Sequence, residues 1–451
     1  MSLRLAPYPA YKDSGVPWLG EAPAHWRLSP GFAVYREKQH KNSGMAETSV
    51  LSLSYGSVVV KSADKLHGLV PESFETYQIV DPGEIIIRPT DLQNDHVSLR
   101  VGAVNDRGII TSAYLCLRTI GEMTADYGYL LLHAYDLKKV FYGMGSGLRQ
   151  NLDFTDLKRM PALVPTRDEQ YAIARFLDHA DRRIDRLVRA KRRLIALLNE
   201  QKQAIIHRAV TRRLDPNVRL KPSGVEWLGD VPEDWEVRRL KFLAHIKTGG
   251  RDTVDRKHDG MYSFFVRSQT VERIDSYSFD GEAVLTAGDG AGVAKVFHYV
   301  NGKFDYHQRV YKFSNFRKVR GKFFLHYFSC TLRFEAFRET AKSTVDSLRL
   351  PMLQNFPVAL PPPEEQDVIV AAVERETQDI DRSLVSIRRE IELVREYRAR
   401  LVADVVTGKL DVREAAANLP DESDEPEVVN EAEEIEEAEA AEEADAIEAE
   451  E

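Results

Sequence analysis

Lys247-Thr-Gly-Gly-Arg251 and Arg267-Ser-Gln269 are short strings in which charged or forked hydrogen-bond donors stand beside glycine or serine. Side chains of these types read nucleic acid. Arg and Lys donate to guanine, Asn and Gln pair with adenine, and cations and small polar groups grip phosphates. Arg88-Pro-Thr-Asp-Leu-Gln-Asn94 and Gly147-Leu-Arg-Gln-Asn151 repeat the pattern earlier in the chain. The candidate nucleic-acid contacts of the first half are therefore Arg88, Thr90, Asn94, Arg100, Arg149, Gln150 and Asn151. Those of the second half are Lys247, Arg251, Arg267, Gln269, Lys295, Gln308, Arg309 and Lys342. Arg182, Arg183, Arg186, Arg189, Lys191, Arg192 and Arg193 form a separate basic run, which suits either a solvated helix face or one turned toward phosphates.

Catalytic chemistry is missing from the string. The histidines form no His-x-x-x-His pair and no Cys/His cluster, so no metal site is expected. Gly288-Asp-Gly-Ala-Gly292 and Gly143-Met-Gly-Ser-Gly147 fit neither phosphate-binding glycine pattern and read as turns. There is no nucleophile elbow and no Asn/Asp-Pro-Pro-aromatic tetrapeptide. Asn355-Phe356-Pro357 comes nearest and lacks the tandem prolines. The chain reads as a reader and scaffold rather than a catalyst.

Composition narrows the setting. No stretch of about 18 apolar residues occurs, so no membrane span is expected. The N-terminus lacks the apolar core of a secretion signal. Cys116 and Cys330 are far apart and outside any Cys-x-x-Cys motif, as in a reduced cytoplasmic protein with two core thiols. The net charge of −9 conceals two opposite regions. Of the 71 acidic residues, 17 lie in 421–451, which has no Lys or Arg, so residues 1–420 carry a net +8. The body can neutralise phosphates, and the Glu/Asp/Ala tail is predicted to be disordered.

The elements that must position the candidates occur twice. KDSGVPWLGEAPAHW (12–26) and KPSGVEWLGDVPEDW (221–235) agree at nine of 15 positions, 209 residues apart. FTDLKRMPALVPTRDEQ (154–170) and LPMLQNFPVALPPPEEQ (350–366) match at an offset of 196, a register that holds for roughly 60 residues. A constant frame thus encloses two variable inserts. Trp18, Trp26, Trp227 and Trp235 belong to the frame and read as a buried clamp rather than ligand-stacking residues.

After each insert the spacing predicts a helix of about 45 residues, or ~65 Å at 1.5 Å per residue. Thr166-x-x-Glu169 has capping-box spacing and Pro363 suits a first helical turn. Asp215-Pro216 and Gly408 are the stop signals. Ile173, Leu177, Ala180, Ile184, Leu187, Leu194, Leu198 and Ile205 form the predicted seam of the first helix. Ile380, Leu384, Ile387, Ile391 and Val394 form that of the second, and an antiparallel pairing about a pseudo-two-fold axis follows. His179 and His207 are placed as exposed helix residues. The inserts read as mixed α/β, with strands over 83–91, 108–118, 281–290 and 308–314 and helices over 124–137 and 321–337. Gly83-Glu84 and Gly281-Glu282 lead into corresponding strands, so the two inserts are expected to share a fold.

The duplicated SGV-x-WLG-x-x-P-x-x-W, the acidic-Glu-Gln approach to each long helix and the variable–constant–variable–constant order resemble the specificity subunit of type I restriction–modification systems, over residues 11 to about 411. The resemblance implies an α+β protein in which two globular target recognition domains alternate with two long helices packed as an antiparallel coiled coil, pseudo-two-fold symmetric. The expected parts are target recognition domain 1 (1–165), spacer helix 1 (166–212), target recognition domain 2 (213–361), spacer helix 2 (362–410) and an acidic tail (411–451). Each domain would read half of an asymmetric bipartite target in double-stranded DNA. The helices would set the gap and dock two methyltransferase subunits, with restriction subunits joining them. This chain would bind no cofactor. The tail departs from the family pattern. The other readings are a coiled-coil scaffold for protein binding, which predicts no salt-dependent DNA affinity, and a stand-alone methyltransferase or nuclease, which the missing motifs disfavour.

Overall fold

The computed structural model describes residues 5–54, 56–61, 73–93, 95, 98–144, 151–215, 217–290, 292–340 and 347–420. Asn94, Arg149, Gln150, Pro216, Lys342 and the tail 421–451 lie outside the described residues. The chain is mixed helix and strand, and its described part divides into two units, 5–189 with 390–420 and 190–389.

The first unit opens with a hairpin, β1 (Tyr11–Asp13) on β2 (Glu21–Pro23). Gly15 and Gly20 both take φ +71 at its tip, a left-handed backbone that glycine adopts without strain. β3 (Arg27–Pro30) leads to β4 (Tyr35–Lys38), then β5 (Leu51–Ser54), β6 (Ser57–Val60), β7 (Gln78–Val80) and β8 (Ile85–Ile87). β9 (Val101–Ala103), β10 (Gly108–Ile110), β11 (Leu115–Thr119), α1 (Ala125–Leu137), α2 (Phe154–Lys158) and β12 (Pro161–Val164) precede α3 (Arg167–Arg212). Four strands form an antiparallel sheet in the order β4-β11-β8-β9, and β12 returns to pair with β3. Thr124 caps α1 through its side chain.

The second unit repeats this scheme. β13 (Leu220–Pro222) and β14 (Asp230–Pro232) are the hairpin, with Gly224 and Gly229 at φ +76 and +63. β15 (Glu236–Arg239) precedes β16 (His245–Thr248), β17 (Tyr262–Phe265), β18 (Val271–Ile274), β19 (Phe279–Ala287), β20 (Phe297–Tyr306) and β21 (Val310–Ser314). α4 (Gly321–Thr340), α5 (Leu350–Asn355) and β22 (Pro357–Leu360, on β15) lead into α6 (Pro363–Val406) and α7 (Arg413–Ala417). The sheet order β16-β21-β19-β20 matches β4-β11-β8-β9 strand for strand, extended at one edge by β17 and β18. Divergent sequences thus build one core topology.

Each unit holds a section of both long helices. In the first, Arg398 Nε and Nη1 lie 3.0 and 2.8 Å from Asp181 and Asp185. In the second, Lys202 pairs with Asp381 and Arg213 with Glu365, so the two sections there run in opposite directions. Ile380, Leu384, Ile387 and Ile391 are buried as the spacing predicts. Leu187 and Leu194 are not, at 44% and 45% exposed. Ile173, Leu177 and Ile184 are buried as assigned and Ala180 is partly buried, but past Ile184 the inward place passes to Val188, four residues on. His207 is half-buried against Phe334, not exposed.

Local limits also shift. The strand expected over 83–91 narrows to β8, and that over 108–118 breaks into β10 and β11 at a turn held by the Thr111 hydroxyl. β19 spans Phe279–Ala287 rather than 281–290, β21 begins at Val310, and α4 runs on to Thr340. α3 ends at Arg212, before Asp215-Pro216, while Gly408 at φ +77 follows the end of α6. Cys116 and Cys330 are buried free thiols.

Candidate nucleic-acid interface

The loops at one end of the six-stranded sheet gather most candidates of the second unit. They follow β16, β17 and β19 and connect β20 to β21, so side chains from 249–252, 267–269, 288–290, 292–296 and 307–309 converge. Asp289 organises them. Its two carboxylate oxygens accept Arg267 Nη1 at 3.3 Å and Arg309 Nη1 at 2.9 Å. Asp252 Oδ2 accepts Gln308 Nε2 at 2.5 Å, and the Gln308 N–H donates to the Arg251 carbonyl at 2.8 Å. Arg251 Nε reaches Asp305, which is buried and also accepts the Ser276 and Ser278 hydroxyls. Gln269 Nε2 donates to the Lys295 carbonyl at 3.0 Å. Arg251, Gln269, Lys295, Gln308 and Arg309 remain exposed, and Lys247 is exposed nearby on β16. Internal hydrogen bonds thus hold these side chains in fixed positions at one end of the sheet.

The equivalent loop of the first unit, 88–100 between β8 and β9, is built around Arg100. That residue is fully buried, so it does not present itself to a ligand as its side-chain type suggested. Its guanidinium donates to the carbonyls of Arg88, Thr90, Asp91 and Asp95 and to the Tyr142 hydroxyl. One cation therefore satisfies the inward carbonyls of the loop and fixes its shape. Asp136 accepts the Arg100 backbone N–H, and burial raises its carboxyl above the usual range. Around this hub, Arg88 pairs with Asp95, Thr90 is half-buried, and exposed Asn151 accepts the Asp91 N–H at 3.3 Å. The structure thus brings Arg88, Thr90 and Asn151 together. Asn94, Arg149, Gln150 and Lys342 are outside the described residues.

The duplicated frame is built alike in the two units. Trp26 and Trp235 are fully buried, while Trp18 is 38% exposed and edge-on to Tyr135. Glu169 forms the predicted capping box with Thr166, and Pro363 begins α6. The following glutamines act alike. Gln170 Nε2 donates to the carbonyls of Glu122 and Pro165, and its Oε1 accepts the Thr124 N–H. Gln366 does the same with Lys318, Pro361 and Arg320. Each Gln therefore ties the start of a long helix to the start of the insert's own helix.

Asp252, Asp289 and Asp305, the acids that aim these donors, are not among the residues the sequence singles out. The signal in the sequence was acidic residues embedded among the chosen cations. Among the described residues, no group of His, Cys, Asp and Glu is disposed to hold a metal ion, and no helix is long and apolar enough to cross a membrane.

Comparison with known proteins adds an independent line. A family model for the type I restriction modification DNA specificity domain matches residues 232–392. The chain is 27% identical over 183 residues to the type I restriction enzyme EcoDI specificity subunit of Escherichia coli, a match spanning 40% of each protein. It is 23% identical over 361 residues to the MjaVIII specificity subunit of Methanocaldococcus jannaschii, covering 73% of this chain and 81% of the relative. A chain from a solved structure on complex assembly and conformational transition of the type I R-M system superposes with a TM-score of 0.56 at 15% identity. That match covers 86% of this chain and 99% of the other, a likeness of fold.

Proposed function

We propose that this chain, which belongs to the family of type I restriction–modification specificity subunits, is the DNA-reading subunit of such a complex. The insert in 1–165 reads one half of a bipartite target, and that in 213–361 reads the other. The helical segments 166–212 and 362–410 pair as an antiparallel coiled coil about a pseudo-two-fold axis, set the gap between half-sites and dock two methyltransferase subunits. Restriction subunits join that assembly in the cytoplasm. The chain itself performs no catalysis and carries no cofactor, and 411–451 forms the acidic tail.

One observation carries the reading. Two inserts of unlike sequence share a four-strand order, and each places polar side chains in the loop that links the two equivalent strands β8–β9 and β19–β20. A common scaffold with different donors reads two different half-sites, so the target is asymmetric. The contacts proposed are Arg88, Thr90, Asn94, Arg149, Gln150 and Asn151 for one half. Lys247, Arg251, Arg267, Gln269, Lys295, Gln308, Arg309 and Lys342 serve the other. Arg100 acts by shaping its loop.

The test is to co-express the chain with a methyltransferase subunit encoded beside it and map methylated adenines by long-read sequencing. One bipartite motif with a fixed gap is the expected result. Replacing residues 30–150 with a relative's insert changes only one half of that motif. A chain that leaves methylation unchanged, and binds DNA with no salt dependence, is instead a protein-binding scaffold.

A further inference from the structure

Lys312 is the least expected charge in the second unit. It sits on β21 at 5% exposure, and no carboxylate pairs with it among the described residues. A buried ammonium without an anion is costly, so its surroundings need explaining. Two aromatic rings supply part of the answer. Lys312 Nζ lies 3.3 Å from the Phe279 ring centroid and 5.4 Å from that of Tyr306. Gly281 and Gly302 face each other across β19 and β20 at φ +141 and +132. Both are backbone conformations that glycine adopts without strain.

The neighbour across the strand pair deepens the puzzle. Lys247 on β16 is directly opposite Lys312, so two ammonium groups share one face of the sheet. Ser314, two residues along the same face, has a buried hydroxyl with no hydrogen-bond partner among the described residues. The corresponding place in the first unit is arranged differently. There Lys38 is opposite Cys116, and its ammonium is held by Asp81 and Glu84, each at 2.7 Å. The first unit neutralises its lysine internally, and the second leaves a pair of cations.

We propose that Lys247, exposed, with Lys312 behind it, forms a phosphate-binding site on the face of the second unit's sheet opposite α4, engaging the backbone of the DNA whose bases the adjoining loops read. The proposal rests on the DNA-reading function above. Lys247 lies four residues before Arg251, about 13 Å of extended chain and roughly four nucleotide steps along one strand. A duplex with its edge in the loops therefore carries its backbone past the lysines. Burial, with Lys247 next, pushes the Lys312 ammonium down to about 8, so an incoming anion gains a cation that water screens weakly.

The experiment uses the full chain and fluorescence anisotropy with duplexes that contain or lack the target, from low to high salt. Lys312→Met and Lys247→Gln are each expected to reduce the slope of log affinity against log salt by about 0.9, with equal weakening on both duplexes. Lys247 is exposed, so its variant tests the site even if Lys312→Met perturbs folding. Wild-type slopes in both folded variants overturn the site and leave the DNA-reading function standing. So does a change in sequence preference without a change in slope. A wild-type chain with no salt-dependent DNA binding overturns both.

Discussion

Glu169 accepts the indole N–H of Trp26 at 3.3 Å across 143 residues of chain. The same carboxylate accepts His25 Nε2 at 2.8 Å and caps α3 through Thr166. These donors hold its carboxyl below the usual range against the opposing effect of burial. Glu365 repeats the contact with Trp235 at 3.4 Å. One side chain thus starts the long helix and fixes the hairpin tryptophan. Glu169→Ala strands a buried indole donor and a cap, and is expected to cost about 3 kcal/mol. Glu169→Gln keeps an acceptor and should cost less than half of that. Urea unfolding of the two variants checks the order, and equal losses would count against the shared role.

Arg100→Met is expected to loosen the 88–95 segment by removing the donor that its carbonyls share, a loss of about 3 kcal/mol. Hydrogen exchange should rise there first. Unchanged protection of the segment refutes the hub.

Asp289 restrains Arg267 and Arg309, so Asp289→Asn is expected to free both. Non-specific DNA affinity should rise while discrimination falls. Arg267→Ala or Arg309→Ala should relax one position of one half-site, by about 1–3 kcal/mol for a lost bidentate base contact. Competition binding against single-base variants of the mapped target distinguishes these outcomes from a uniform loss.

His133 is held neutral, because burial and then the Arg398 charge lower its pKa to about 4. The unfolded chain binds that proton near 6.5. The stability this neutral ring represents is therefore complete above pH 6.5 and is lost as pH falls toward 4, by about 3 kcal/mol at the lower limit. Thermal melts of His133→Leu between pH 7 and pH 4 should show a smaller acid-induced drop than wild type. An identical drop assigns acid sensitivity to other groups.

Residues 421–451 are acidic where the body is basic. We propose that they compete with DNA for the cations of the body. Truncation at 420 is expected to raise affinity for non-target DNA at low salt and to have little effect at high salt. Unchanged low-salt affinity removes the idea.

The duplicated frame was legible because its constraints are local: glycines at left-handed turns, a cap, a proline at a helix start. The shared sheet of the inserts left a trace only in Gly83-Glu84 and Gly281-Glu282, since strand order is set by pairing between distant residues. The candidate loops were found from donor types. Sequence cannot distinguish a buried arginine that satisfies carbonyls from an exposed one that meets a ligand, and Arg100 fell on that line. Lys312 was invisible for the converse reason, because a lysine within a strand of apolar neighbours reads as an outward edge residue. Leu187 and Leu194 are apolar yet exposed, because Val188, four residues from Ile184, holds the inward position, and apolar type alone does not reveal which neighbour turns inward.

Within the first unit, the Asp411 N–H donates to the Ala6 carbonyl at 2.8 Å, and the Tyr11 hydroxyl reaches the Gly408 carbonyl. The hairpin of that unit therefore stands where a covalent continuation of α6 would place it, as the second hairpin continues from α3. In each unit, then, a hairpin follows the end of a long helix, covalently in the second and through hydrogen bonds alone in the first. A circular permutant that joins residue 420 to residue 5 through a linker, and opens between 215 and 219, is expected to keep the Tyr11–Gly408 and Ala6–Asp411 hydrogen bonds and the α7 contacts of the first unit.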